Sequence, residues 1–221
     1  MPRNTYHHGH LREELIAASL KIIAKKGLSA LSLREAAKRA GVSSAAPYRH
    51  FPTKEALLAA IATQGNLAIG RFLQEEVEQH PDDVAAQMMH AAKAYIQYAM
   101  REPATYRVMC MAMNQAQYPE LKAAHEQTES MFLEMIRKGQ AQNLIHDGDA
   151  LDLATAAYAF LHGLATMLID QQLCEHFCPP GTDMDAWLER MILVIWNGYP
   201  KHPSSAPARR CHLTPEPSSC L

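Results

Sequence analysis

The chain has 221 residues, 48% of them hydrophobic, enough for one helical domain or a small head on a larger body. Its formal charge of −2 conceals a split, because residues 1–54 carry +7 and residues 55–221 carry −9; a basic head on an acidic body is the footprint of a domain that binds phosphate backbone. Five cysteines, an odd number, without an apolar leader in MPRNTYHHGH argue for reduced thiols in the cytoplasm rather than a disulfide framework, and no run of 18 apolar residues argues against a membrane partner.

Residues 1–9 read as a flexible polar arm whose Arg3, His7 and His8 reach a DNA backbone or minor groove and order there. A first helix is expected over about 10–26, with Leu11, Leu15, Ala18 and Ile22 on an apolar face and Gly27 as its stop. The stretch SLREAAKRAGVSSAAPYRHFPTK, residues 32–54, follows. Ser32 with Glu35 three residues on forms a capping box, and Leu33, Ala36, Ala37 and Ala40 fall on one helical face. Gly41 suits a left-handed helix end, after which Ser43 or Ser44 is expected to cap a second short helix running to Phe51. Pro47 then stands at its third or fourth position, where few intrahelical bonds are lost. Helix, glycine turn and helix of this length form a helix-turn-helix, the motif of a double-stranded DNA reader; an αα-hairpin that only packs is the plain alternative.

Thr53 is expected to cap a long helix over 54–79 that links the head to the body, with Lys54 at its start as a phosphate anchor. Further helices are expected from Asp82 or Asp83 to about 101, over 104–113, from Pro119 to about 143, over 150–173 and over 184–197. The stretch AYAFLHGLATMLI makes the helix over 150–173 apolar nearly all round, so both of its faces are expected to be buried. The proline-rich residues 200–221, with Cys211 and Cys220, read as a disordered tail. The fold class is therefore all-α: a three-helix helix-turn-helix head and a bundle of about six helices. Its divisions are an arm (1–9), a head (10–53, motif 32–51), a connecting helix (54–80), a ligand-binding and dimerisation body (81–199) and the tail.

Residues 11–62 resemble the N-terminal domain of the TetR family of transcriptional repressors. Lys26-Gly27, Gly41-Val42-Ser43, Tyr48-Arg49-His50-Phe51 and Lys54-Glu55-Ala56-Leu57 carry the resemblance. Leu161-His162-Gly163 is similar to the centre of a C-terminal subgroup marked by Trp-His-Gly, with Leu161 in place of the Trp, and Gly163 there is expected to allow close helix approach. The resemblance implies a dimer joined through the last two long helices, a palindromic operator, and a ligand whose entry shifts the connecting helix. It also implies that Tyr48 grips a phosphate.

The expected DNA-facing set is Ser32, Arg34, Ser43, Ser44, Ala45, Tyr48, Arg49, His50 and Lys54, with Arg49 on either a guanine edge or a phosphate. Abundant Met and several aromatics suggest an apolar effector pocket of Tyr95, Tyr98, Met109, Met113, Phe132, Met135, His162 and Thr166, although a histidine on an apolar helix such as His162 is more often a satisfied core residue than a ligand contact. The expected dimer face holds Tyr158, Leu161, Met167, Trp187, Met191 and Ile195. No cofactor, catalytic set or metal site is expected. Cys174-Glu-His176-Phe-Cys178 is the one metal-like cluster in the sequence, and it lacks a second ligand pair. The rival reading is a helical small-molecule-binding protein or enzyme without DNA function, and no nucleophile–base spacing supports it.

Overall fold

The computed structural model describes residues 10–173, 178–179 and 181–197. The expected arm, Cys174, His176 and the tail from residue 200 lie outside these residues. Among the described residues there are eight α-helices and no strand, so the chain is all-α. They are α1 (Leu11–Lys26), α2 (Leu33–Ala40), α3 (Lys54–Gln79), α4 (Val84–Arg101), α5 (Pro103–Met109), α6 (Pro119–Ala141), α7 (Ala150–Ile169) and α8 (Met184–Asn197).

Local chemistry sets most of these boundaries. The Ser32 side chain accepts the Glu35 N–H at 3.1 Å, Thr53 that of Ala56 at 3.1 Å and Asp83 that of Ala86 at 2.9 Å. Asp149 accepts from Leu151 and Asp152. Each cap satisfies a donor that the first helical turn leaves without a partner. At the end of α2, Gly41 turns left-handed at φ 73°, and the Val42 N–H folds back to the Ala37 carbonyl at 3.0 Å.

Three apolar clusters form the interior. One joins Leu15, Ile22 and Phe51 to Leu57 and Ile61 of α3 and also takes in Val108 and Leu121, so the head's core continues into α5 and α6. A second joins α4, α5, α7 and α8 around Ile96, Tyr106, Leu164, Leu188 and Ile192. The third, around Ile69, Leu73, Met88, Met135 and Ile136, joins α3, α4 and α6. Leu15, Leu57, Ile61 and Ile96 are fully enclosed. Burial of one such side chain is worth ~1.5–3 kcal/mol. Because α3 runs along α5 and α6, the helix that leaves the head is anchored in the body for much of its length.

Several expectations need correction. The second helix of the motif is a 3₁₀ turn, Ala46–Arg49, with Ala45 at its N-cap and no side-chain cap from Ser43 or Ser44. Pro47 has no N–H with which to close an α-helical turn onto Ser43, so the backbone closes by i→i+3 bonds such as Ala46 N–H to the Ser43 carbonyl at 3.0 Å. The helix expected to reach residue 113 ends at Met109, where the Met111 N–H turns back to the Val108 carbonyl. Helix α7 ends at Ile169, because Gln171 takes a left-handed φ of 54° and Gln172 bonds back to Met167.

Within one chain α7 is not buried on both faces: Leu151 and Tyr158 are exposed on one side and Met167, nine residues past Tyr158, on the opposite one, so the expected burial needs a second copy. A Cβ at Gly163 would meet nothing within 4 Å among the described residues, so no described helix approaches it closely. Helices α3 and α7 are also long and apolar enough to cross a membrane by length and composition. Interspersed Thr, Gln, Asn and Gly break any continuous apolar run yet leave mean hydropathy high. The α3 window is 61% buried inside the protein, and the α7 window only 22%.

Candidate nucleic-acid interface and ligand cavity

The motif presents its polar side chains outward on a rigid base. Arg34, Lys38 and Arg39 of α2 are exposed, as are Ser43, Ser44, Ala45, Tyr48, Arg49 and His50, whereas Pro47 and Phe51 are buried beneath them. The Arg12 guanidinium lies 5.5 Å from the Phe51 ring centroid, a cation–π contact that braces the turn against α1. Two of the expected contacts are already engaged inside the protein. Ser32 caps α2 through its hydroxyl, and the Lys54 ammonium donates to the Leu28 carbonyl at 3.2 Å, tying the start of α3 to the loop after α1. The arrangement offers a convex basic surface of three α2 cations with Arg49 and the Tyr48 hydroxyl beside them, suited to phosphates and a base edge.

In the body a cavity of about 320 Å³ lies between α3, α4, α6 and α7. Of the expected pocket residues, Tyr95, Met109 and Phe132 line it. Tyr98 is buried against Phe72 instead, Met135 belongs to the third core cluster, and Met113 packs on the head cluster. His162 and Thr166 are not in the lining, and His162 Nδ1 is hydrogen-bonded to the Tyr106 hydroxyl. Residues not expected there complete the lining: Asn66, Cys110, His125, Thr128, Glu129, Leu151, Ala154 and Tyr158 among them.

One end of the cavity is an aromatic and polar cluster. The Tyr95 and Tyr106 hydroxyls are 3.1 Å apart, Tyr106 Oη is 2.7 Å from His162 Nδ1, and Cys110 Sγ is 3.5 Å from the same nitrogen. Tyr158 stacks on His162 and meets Tyr95 edge-on. Burial pushes Tyr95 and Tyr106 above the ordinary phenol range and Cys110 above the ordinary thiol range, so all three keep their protons. Glu129 and His125 on α6 supply ionisable groups elsewhere in the wall, and among the described residues no lysine or arginine lines it.

The expected dimer residues divide between two environments. Tyr158 and Met167 are exposed on α7, but Leu161 is buried and lines the cavity. Trp187 is only 6% exposed and Met191 packs with it in the second cluster, because the inward stripe of α8 is Trp187, Leu188, Met191 and Ile192. Ile195 is half-buried, and the apolar side chains that α8 leaves outside are Leu193 and Val194. Lys93 of α4 fastens α8 from within, 2.6 Å from Asp185 Oδ2 and 2.9 Å from Glu189 Oε1.

Of the metal-like cysteine cluster only Cys178 is described, as a free thiol. The structure gathers a different group of potential ligands, Glu76, His80 and His90, where α3 meets α4. The Glu76-His80 spacing of four residues is visible in the sequence, but His90 joins them only through helix packing.

A basic helix-turn-helix head on a helical body that encloses a cavity defines a class of DNA-binding regulator. Residues 15–61 match the family described as bacterial regulatory proteins, tetR family, and residues 88–195 match the tetracyclin repressor-like C-terminal domain. The chain belongs to the TetR family of transcriptional regulators, whose fold and role are those of DNA-binding repressor-type regulators rather than enzymes. It is 45% identical over 47 residues to the uncharacterized HTH-type transcriptional regulator YerO of Bacillus subtilis; that match takes in 21% of this chain and only 16% of YerO. A solved protein of unknown function from a Rhodococcus species is 30% identical with a TM-score of 0.72, covering 88% of this chain and 98% of that one. The regulator PfmR from Thermus thermophilus, at 18% identity and a TM-score of 0.66, shares the fold over 85% of this chain and 99% of its own.

Proposed function

We propose that the protein is a homodimeric cytoplasmic repressor that leaves a palindromic operator when a small apolar ligand enters the cavity. The head (10–53) reads DNA, the helix over 54–80 connects, and the body from residue 81 binds ligand and pairs with a second copy. Arg34, Ser43, Ser44, Ala45, Tyr48, Arg49 and His50 form the DNA face, with Ser32 and Lys54 holding its frame. The observation that carries the ligand reading is the seating of Met109. Its side chain lines the cavity and also lies directly on Gly65 of α3, the helix that starts at the head. A molecule that moves Met109 therefore acts on the helix that positions the reader, which provides differential contact with two states.

The lining favours a particular chemistry. Its walls are largely apolar and aromatic, Glu129 offers a carboxylate, and among the described residues His125 is the basic group in the lining, with no lysine or arginine beside it. The effector is a neutral or cationic apolar molecule, not an anionic one. The exposed lining residues, His125 and Glu129 of α6 with Leu151, Thr155 and Tyr158 of α7, mark the mouth of the cavity, so this side of α7 serves both ligand access and the dimer face. The bareness of that stripe is better explained by a second copy than by a membrane, since α7 belongs to a polar-capped bundle helix whose Tyr158 and His162 face polar neighbours. Leu161-His162-Gly163 supports a place beside the Trp-His-Gly members of the family.

A gel shift with the DNA upstream of the protein's own gene tests the reading. Specific binding should appear, weaken steeply with salt as phosphate contacts release counterions, and be reversed by a neutral or cationic apolar compound. Failure to bind any DNA in a salt-dependent way would refute the DNA role; release by fatty acids alone would refute the stated effector chemistry.

A further inference from the structure

We propose that Glu76, His80 and His90 form a binding site for a divalent transition-metal ion of the zinc class at the junction of α3 and α4. Glu76 Oε2 is 2.9 Å from His90 Nδ1 and 3.7 Å from His80 Nε2, and the three potential ligand atoms all lie within 4.8 Å of one another. Two ligands held at zinc bond lengths in a tetrahedral arrangement stand ~3.3 Å apart, so modest side-chain rotation places all three on one ion. Two imidazoles and one carboxylate suit zinc and its neighbours, whereas magnesium and calcium take oxygen donors.

The surroundings favour a cation. Residues 72–92 contain five carboxylates, Glu75, Glu76, Glu78, Asp82 and Asp83, and no lysine or arginine. The site also lies at the C-terminal end of α3, where unpaired carbonyls concentrate negative charge. Its frame is preformed: the Gln87 side-chain amide donates to the His80 carbonyl at 2.5 Å, and the two imidazole rings stand edge-to-face at 4.8 Å. Half-exposure of His90 leaves an approach for the ion and for water to complete its coordination. An ion held here clips the far end of the connecting helix to α4, about 20 residues and several helical turns from the DNA-facing end.

The test uses tag-free full-length protein, with Zn2+ as titrant in calorimetry and Co2+ as an absorbing substitute. The wild type should bind one more equivalent of Zn2+ per protomer than His90→Ala or Glu76→Gln, and Zn2+ should raise its unfolding temperature more than theirs. His90→Gln retains a hydrogen-bonding partner for Glu76 without an imidazole, so the same loss in that variant assigns the effect to coordination. Equal stoichiometry and affinity, within threefold, in wild type and His90→Ala would overturn the site. So would an equal stabilisation of the wild type by Mg2+. Neither readout requires DNA or effector, so the outcome is independent of the operator and ligand experiments.

Discussion

A Cβ built on Gly65 of α3 would lie 2.6 Å from Met109 Cγ and 3.1 Å from Thr105 Cγ2, so α5 sits on bare backbone at this crossing. Because Met109 also lines the cavity, the two helices meet where a ligand's volume is felt. Gly65→Ala must displace the Met109 side chain. Overpacking costs ~1–3 kcal/mol, of which the better helix propensity of Ala returns ~1 kcal/mol. Urea unfolding should show a net loss of at most ~2 kcal/mol, and the effector response of DNA binding should change. Adding Met109→Ala should recover part of the stability, with a coupling energy above the additive expectation. Strict additivity of Gly65→Ala and Met109→Ala, together with an unchanged effector response, would contradict the crossing.

Arg49 is exposed at the end of the 3₁₀ turn and has no recorded protein partner among the described residues. Arg49→Ala should lower operator affinity by tenfold or more while leaving thermal unfolding unchanged. If its contact is a phosphate, binding weakens across all sequences and the salt slope falls by ~1; if it is a guanine edge, specificity relaxes at one position. Full operator affinity in the variant would remove Arg49 from the interface.

Lys93 makes the fastening of α8 dependent on pH. Burial works against its charge, but hydrogen bonds and attraction from Asp185 and Glu189 outweigh that and raise it above the ordinary lysine value of 10.5. A raised value means that the folded state holds the proton more tightly than the unfolded chain. The contribution is therefore fully present below pH 10.5 and is lost as pH rises through the folded value. Denaturation between pH 8 and 12, measured for wild type and Lys93→Met, should show a difference that is constant at the low end and shrinks at the high end. Both acids are substantially exposed, so the difference should be no more than ~1 kcal/mol.

Leu193 and Val194 are 40% and 42% exposed on α8, and α7 has its own exposed apolar side chains, Tyr158 and Met167 among them. Pairing two copies through these faces would bury them in a four-helix bundle. Leu193→Glu with Val194→Glu should shift the protein from dimer to monomer in light scattering and weaken operator binding, with helical content retained. A dimer unchanged by both substitutions would place the interface elsewhere.

The helix boundaries are legible in the sequence because their causes are local. Ser32, Thr53, Asp83 and Asp149 each cap a helix through hydrogen bonds spanning two or three residues, and Gly41 ends α2 with its own backbone. Pro47 is equally visible, and its missing N–H is the local cause of the 3₁₀ turn that stands where a second α-helix was expected. The cavity is only partly legible. Composition points to Tyr95, Met109 and Phe132, but the stripe His125, Thr128, Glu129 and Phe132 on α6 needs the helix's rotation to face inward. The matching stripe Leu151, Ala154, Thr155 and Tyr158 on α7 carries the same helical spacing, and from sequence its Tyr158 points to the dimer face alone.

By itself, then, the sequence determined an all-helical chain with a basic reading head, because caps, glycine turns, apolar spacing and charge distribution act within a few residues of one another. Tertiary structure alone decided which side of each helix meets which neighbour: that Trp187 turns inward while Leu193 stays outside, and that Met109 lies on Gly65. It likewise decided that His90 reaches Glu76 and His80 across two helices. These pairings depend on helix rotation and crossing, set by the packing of whole faces, and no short stretch of the chain contains that information.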